Sequence, residues 1–169
     1  MERLLPAAII VVVLLGLLAL MLLGWRRRTR SQSALPLPST VPSELGDALW
    51  RGEALYVATT RAGDQLDRVA VHGLGFRARG EVGVHPEGVV LALRGSDPVF
   101  IARDRVHGIG RATWAIDRVV EPGGLVVLDW LLDDVALDSY LRLSAERSAE
   151  LLTAVQSLLA PTNPEGSLS

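Results

Sequence analysis

The stretch ARGEVGVHPEGVVLALRG, residues 78 to 95, is where the chain shows its architecture. Val82 and Val84 alternate with Glu81 and His85, the period of two that a half-buried strand requires. The four residues His85-Pro86-Glu87-Gly88 place Pro second and Gly fourth, as a type I turn prefers. Two strands, Ala78 to His85 and Val89 to Arg94, therefore form an antiparallel hairpin.

Working outward, segments of the same period stand at Glu53 to Thr60, Leu66 to Val71, Val99 to Ala102, His107 to Ile116, Leu125 to Leu131 and Val135 to Leu143. Eight candidate strands could merge into seven. A second hairpin is expected at Glu121-Pro122-Gly123-Gly124, where Pro and Gly suit a type II turn. In the last strand Val135, Leu137, Leu141 and Leu143 oppose Asp138, Tyr140 and Arg142 in facing. Residues Ser144 to Ala160 read instead as a helix, with Leu151, Leu152, Val155, Leu158 and Leu159 on one stripe. Ser144 is its N-cap, Glu146 and Glu150 lie toward the positive end of its dipole, and Pro161 stops it. Consecutive antiparallel strands followed by one amphipathic helix predict a mainly β fold, a partly open barrel or sandwich of about seven strands closed by the C-terminal helix. That is a pleckstrin-homology-like (PH-like) layout, with OB-like and lipocalin-like barrels as alternatives. Residues 161–169 read as a disordered tail.

Upstream the pattern is different. Leu4 to Leu23 is a run of 20 residues without a charge, which at 1.5 Å per residue matches a hydrocarbon layer of ~30 Å. Pro6 falls in the first turn and Gly16 is ordinary in a membrane helix. A cleaved signal peptide carries its positive charge before the apolar run, whereas here Arg26, Arg27, Arg28 and Arg30 follow it. An uncleaved anchor over residues 1–25 is expected, in contact with the bilayer through residues 4–25. Trp25 and the four arginines sit at the interface, which sets the N-terminus outside and the C-terminal domain on the cytoplasmic face of the cell membrane. Residues 26–51 read as a basic juxtamembrane segment and a spacer, because SQSALPLPSTVP at 31–42 combines Ser with three prolines. The folded domain is expected over residues 52–160, about the size for one core.

Composition excludes more than it assigns. The chain has no cysteine, which removes disulfides and thiolate metal sites. All 17 basic residues are Arg, and residues 44 to 169 carry 12 of them against 18 Asp plus Glu. A domain of net charge −6 without basic runs does not offer the footprint that nucleic acid needs. The same charge favours a soluble, monomeric domain. Around the first hairpin Arg61 and Arg68 are offset by Asp64 and Asp67, so phosphoinositide specificity is not expected.

Two segments, YVATTRAGDQLDRVAVHGLGFRARGEVGVHPEGVVLALRG at 56 to 95 and GIGRATWAIDRVV at 108 to 120, resemble a family of small actinobacterial membrane proteins described as PH-like domain proteins, sometimes labelled transporters. The resemblance covers most of the chain, including the anchor and its Arg-rich flank. It implies the fold, a location near pyrimidine-biosynthesis genes, and no established activity or site residues. One membrane span supplies no transport path by itself.

No catalytic, cofactor or metal residue stands out. His72, His85 and His107 lie in or beside different strands, and none has a spacing such as HExxH. They read as strand-end or surface histidines. Asp129, Asp133, Asp134 and Asp138 surround the last hairpin and read as turn and edge charges before a cation site. Gly73-Leu74-Gly75 and Gly108-Ile109-Gly110 lack the full GxGxxG pattern and a following helix. The most informative stretch is Val71 to Arg79, where Leu74 and Phe76 lie among glycines beside Arg77 and Arg79. These four residues form the candidate binding loop, against a plainer reading as a kinked strand with both apolar residues in the core. The function expected is a non-catalytic, membrane-held interaction module that presents a groove or sheet edge to a protein partner. The alternative is a membrane-associated enzyme or small-ligand sensor whose site gathers His and Asp residues.

Overall fold

The computed structural model describes residues 12–23, 35–112, 114–115, 118–119 and 125–160. The chain divides into two compact units, residues 1–35 and 36–169.

In the first unit residues 12–23 form an exposed helix, α1. Twelve residues rise only ~18 Å. Among the described residues no helix is long and apolar enough to cross a membrane. The remainder of the expected span, residues 4–11, lies outside the described residues, as do Trp25, Arg26, Arg27, Arg28 and Arg30.

The second unit is built on an antiparallel sheet of eight strands: β1 (Trp50–Arg61), β2 (Asp64–Arg68), β3 (Ala78–His85), β4 (Gly88–Leu93), β5 (Val99–Ala102), β6 (Val106–Arg111), β9 (Leu125–Leu132) and β10 (Val135–Arg142). Their order is β5-β4-β3-β1-β10-β9-β6, with β2 paired to β1. The sheet does not close on itself: β5 and β6 are its two ends. Between β6 and β9 a separate two-stranded sheet, β7 (Trp114–Ala115) and β8 (Arg118–Val119), is inserted. The expected strand His107 to Ile116 is therefore two strands, one pairing with β9 and the other folding back on β8. The turn expected at Glu121 to Gly124 lies outside the described residues.

β1 is longer than its expected span because it serves both halves of the sheet. Trp50 to Tyr56 pair with β3, Leu55 to Arg61 pair with β10, and the register shifts between Tyr56 and Ala58. Such a shift marks a bulge, which bends a strand so that it can pass from one layer toward the next. The hairpin β3–β4 forms as expected, with His85 opposite Gly88. Neither Pro86 nor Glu87 has positive φ, as a type I turn requires.

Leu66 to Val71 is not a strand over its full length. β2 ends at Arg68, and the chain then turns through left-handed backbone at His72 (φ 57°) and Gly73 (φ 78°), a conformation that suits Gly and costs a side-chain-bearing residue more. The turn sends Leu74 into the core, fully buried, and leaves Phe76 83% exposed. Of the two apolar residues in the candidate loop, one is core and the other is not.

The helix α2 (Ala145–Leu159) packs on β6 at one end of the open sheet and on β3, β1 and β9 within it, and so lies across its opening. Ser144 caps it, its Oγ accepting from the Arg147 N–H at 3.4 Å. The buried stripe is Ser148, Leu151, Ala154, Val155 and Leu158. Leu159, expected in that stripe, is exposed, and Leu152 is half-buried. Small residues, Ser148 and Ala154, fill two of the five buried positions.

Some of the residues expected as an extended, semi-rigid spacer and linker bond to the sheet of this unit. Phe100 N–H donates to Ser39 O (3.3 Å), Leu49 N–H to Val84 O (2.8 Å) and Gly46 N–H to the Glu87 carboxylate (3.1 Å). His85, expected at a strand end or the surface, ends β3 and is buried. The cause is the same segment: its Nδ1 lies 2.8 Å from Gly46 O, and because a carbonyl only accepts, Nδ1 carries the proton.

Inside the sheet, four polar side chains form one continuous chain. Leu74 O lies 2.8 Å from the Tyr56 hydroxyl, which must donate to it. Having spent its proton, Tyr56 accepts from Thr59 (2.7 Å), Thr59 accepts from Ser139 (2.6 Å), and Ser139 accepts from the Trp130 indole N–H (2.9 Å). Each hydroxyl gives one hydrogen bond and receives one. Burial pushes the Tyr56 phenol well above its ordinary range, the Thr59 hydrogen bond opposing the shift in part.

Candidate functional site

The turn that joins β3 to β4 fixes which residues face each other across the hairpin. Gly80 stands opposite Leu93, and one step outward the Arg94 N–H donates to Arg79 O at 3.0 Å, so Arg79 and Arg94 are neighbours. Leu55 of β1 pairs with Arg79 on one side and with Arg142 of β10 on the other. One row thus reads Arg142, Leu55, Arg79, Arg94 across four adjacent strands. With strands about 4.8 Å apart, it places Arg79 and Arg94 side by side and Arg142 about 10 Å from Arg79.

This row lines a cleft of about 560 Å³ on the outer face of the sheet, within the ~300–1,000 Å³ typical of ligand sites. Gly80 and Ala54 contribute to its floor, and Ser144, the cap of α2, lies at one end. A Cβ at Gly80 would collide with the Ala92 carbonyl, so only glycine lets β4 approach closely enough to bring the two arginines together. The next row holds Glu53 opposite Glu81, both in the cleft. Glu81 is engaged by Arg51 at 3.2 Å. Among the described residues Arg79, Arg94 and Arg142 make no ion pair and no side-chain hydrogen bond.

That matters energetically. Like charges directly opposite on neighbouring strands destabilise a sheet, and the usual remedy is a nearby carboxylate. Arg51 and Arg61 have that remedy, in Glu81 and in Asp67 at 3.1 Å. The row does not.

Of the four residues read as a binding loop, Arg79 enters the cleft, Arg77 and Phe76 are exposed outside it, and Leu74 belongs to the core. Arg94 and Arg142 were not singled out by sequence. Arg94 was within reach, since a two-residue turn between His85 and Gly88 pairs residues whose numbers sum to 173, and that includes 79 with 94. Arg142 was not, because its neighbour Leu55 is 87 positions away.

His72, His85 and His107 are not brought together with Asp residues: among the described residues no three His, Asp or Glu side chains are grouped as a metal site would need. Asp133 and Asp134 are exposed in the β9–β10 turn, Asp133 with φ 54°. Asp129 and Asp138 face each other within the sheet, not at an edge. Burial, then the charge of Asp138 and a hydrogen bond with it, raise the Asp129 carboxyl above its ordinary range, with His107 opposing.

Residues 33–157 match the family described as Bacterial PH domain-like. The chain belongs to that family. Domains of this kind commonly mediate protein or lipid interactions. No curated protein matches the sequence. A solved structure of Vav1 inhibited by an allosteric inhibitor aligns with 82% of this chain at TM-score 0.45 and 10% identity. The chain spans about a third of that protein's length, 33%, and the likeness is too distant to bear on fold or function.

Proposed function

We propose that this PH-like protein is a membrane-tethered interaction module, non-catalytic, that captures a protein partner at the inner face of the cell membrane. The tether is the apolar run at residues 4–25, oriented by Arg26, Arg27, Arg28 and Arg30 so that the domain is cytoplasmic. The observation that carries the binding role is the cleft lined by three arginines that make no ion pair among the described residues. In a small domain of net negative charge, cations gathered and left unpaired are a surface for something else.

Two measurements test it in the full-length protein. Reporters fused to the C-terminus should be active only where they work in the cytoplasm; activity of a reporter that works only outside the cell would remove the tether's orientation. A photo-reactive residue replacing Ala92, in the cleft, should form a discrete protein adduct in intact cells. The same residue replacing exposed Ala136 should not. Equal adducts at both positions would mean the cleft is not where the partner sits.

A further inference from the structure

We propose that the partner presents an extended acidic segment, with at least two carboxylates, to the arginine row. This rests on the interaction-module reading and names the chemistry of the ligand at the same cleft.

The length of the row decides between one anion and several. Arg142, Arg79 and Arg94 stand on three of four adjacent strands, so from first to last they cover about 14 Å. A single carboxylate or phosphate reaches only the Arg79–Arg94 pair. On an extended chain the side chains of one face recur every second residue, about 6.8 Å apart, so carboxylates four residues apart stand about 14 Å apart, which matches the span from Arg142 to Arg94. Guanidinium forks take carboxylates two hydrogen bonds at a time, so each arginine can hold one acidic side chain in a defined orientation.

The second row decides against a flat or uniformly anionic surface. Glu53 and Glu81 lie in the same cleft, one row from the arginines. A bilayer rich in anionic headgroups, or a polyphosphate, meets those two carboxylates as well as the arginines. A peptide can place its acidic residues along one row and neutral or basic residues against the other. Glu81 is already held by Arg51, which leaves Glu53 as the group that rejects a second layer of negative charge.

The test uses the full chain in an uncharged detergent and three probes: a short fluorescent peptide alternating Ala and Glu, the same peptide with Gln for Glu, and inorganic phosphate as competitor. Anisotropy should report binding of the Glu peptide and none of the Gln peptide. The double variant R79Q/R94Q should weaken it about tenfold, the sum of several modest exposed pairs, with an unfolding midpoint no lower than the wild type's showing that the fold is intact. Substituting Arg77→Gln, exposed outside the cleft, should change nothing. In a second arm, protein in phosphatidylethanolamine vesicles with added phosphatidylglycerol should bind the Glu peptide no more weakly than in vesicles without it. Equal binding of Glu and Gln peptides, or equal loss in R77Q and R79Q/R94Q, would overturn the proposal. So would displacement of the peptide by phosphate or phosphatidylglycerol, which would make the ligand a phosphate group. If the peptide fails to bind while the adduct at position 92 persists, the module reading stands and only the acidic segment is wrong.

Discussion

The strands β1 and β10 have two faces that treat their polar groups in opposite ways. On the inner face Thr59 and Ser139, with Tyr56 and Trp130, satisfy one another down to the Leu74 carbonyl, and nothing is left over. On the outer face, a few residues along the same strands, Arg142 stands in a row with Arg79 and Arg94, and none of the three makes an ion pair among the described residues. Inside, an unpaired polar atom costs its full desolvation, so these four groups complete one network, although Ser148 Oγ of α2 is buried without a partner. Outside, water tolerates an unpaired charge, so a fold can leave cations for a ligand. The inner face is organised for stability and the outer one for contact.

The largest effect should come from the core end of the candidate loop. Leu74→Ala removes a fully buried side chain and should cost ~2–5 kcal/mol, read as a fall in the denaturation midpoint. Phe76→Ser, two residues on but 83% exposed, should stay within about 0.5 kcal/mol. Equal losses at both positions would mean that the loop folds as one piece and that exposure does not separate its two roles.

Next in size is Tyr56→Phe. It strands the Leu74 carbonyl and the Thr59 hydroxyl in the interior, at a cost of ~1–3 kcal/mol. Thr59→Val should be of the same order, and the double variant should cost less than the two added together, because both break one chain. Full additivity would show that the four side chains act independently.

How much of this was legible in the sequence follows from which interactions are local. The β3–β4 hairpin was readable because Pro86 and Gly88 sit inside it, and the C-terminal helix because Ser144, Leu151, Val155 and Leu158 lie within one segment. The insertion of β7–β8 was not, since a continuous alternating run gives no sign that its partner strand changes after Arg111. His85 ends its strand, one of the two places expected for it, but its burial was not readable for a related reason: it bonds to Gly46, 39 positions upstream in the stretch expected as linker. The site was half readable. Arg79 and its opposite, Arg94, follow from the turn, while Arg142 joins them only through the long-range pairing of β10 with β1.

A pH-dependent effect probes a third place, where like charges meet as they do in the arginine row but with opposite sign. Asp129 is held above the ordinary carboxyl range by burial and by Asp138. Between the ordinary value near ~3.9 and that raised value the folded protein binds more protons than the unfolded chain. This pair's contribution to stability therefore falls as pH rises through that window. Asp138→Asn removes the repulsion, so its unfolding midpoint should exceed that of the wild type at pH 7 and converge with it toward pH 4. A difference that is the same at both pH values would mean the two carboxyls do not interact.

The smallest expected effect bears most directly on the comparison. Arg94→Gln deletes one member of the adjacent pair Arg79–Arg94, and if the outer row is unpaired, the fold loses nothing and is relieved of a repulsion. The unfolding free energy should rise, on the order of a few tenths of a kcal/mol, as expected for removing like charges from facing strand positions. Salt gives the control: at 1 M, where the screening length is ~3 Å, the gain should vanish, since it is electrostatic in origin. Packing changes would not respond to salt in that way. A loss of stability that persists at both ionic strengths would show that Arg94 holds the fold together, and the outer face would then be as self-sufficient as the inner one.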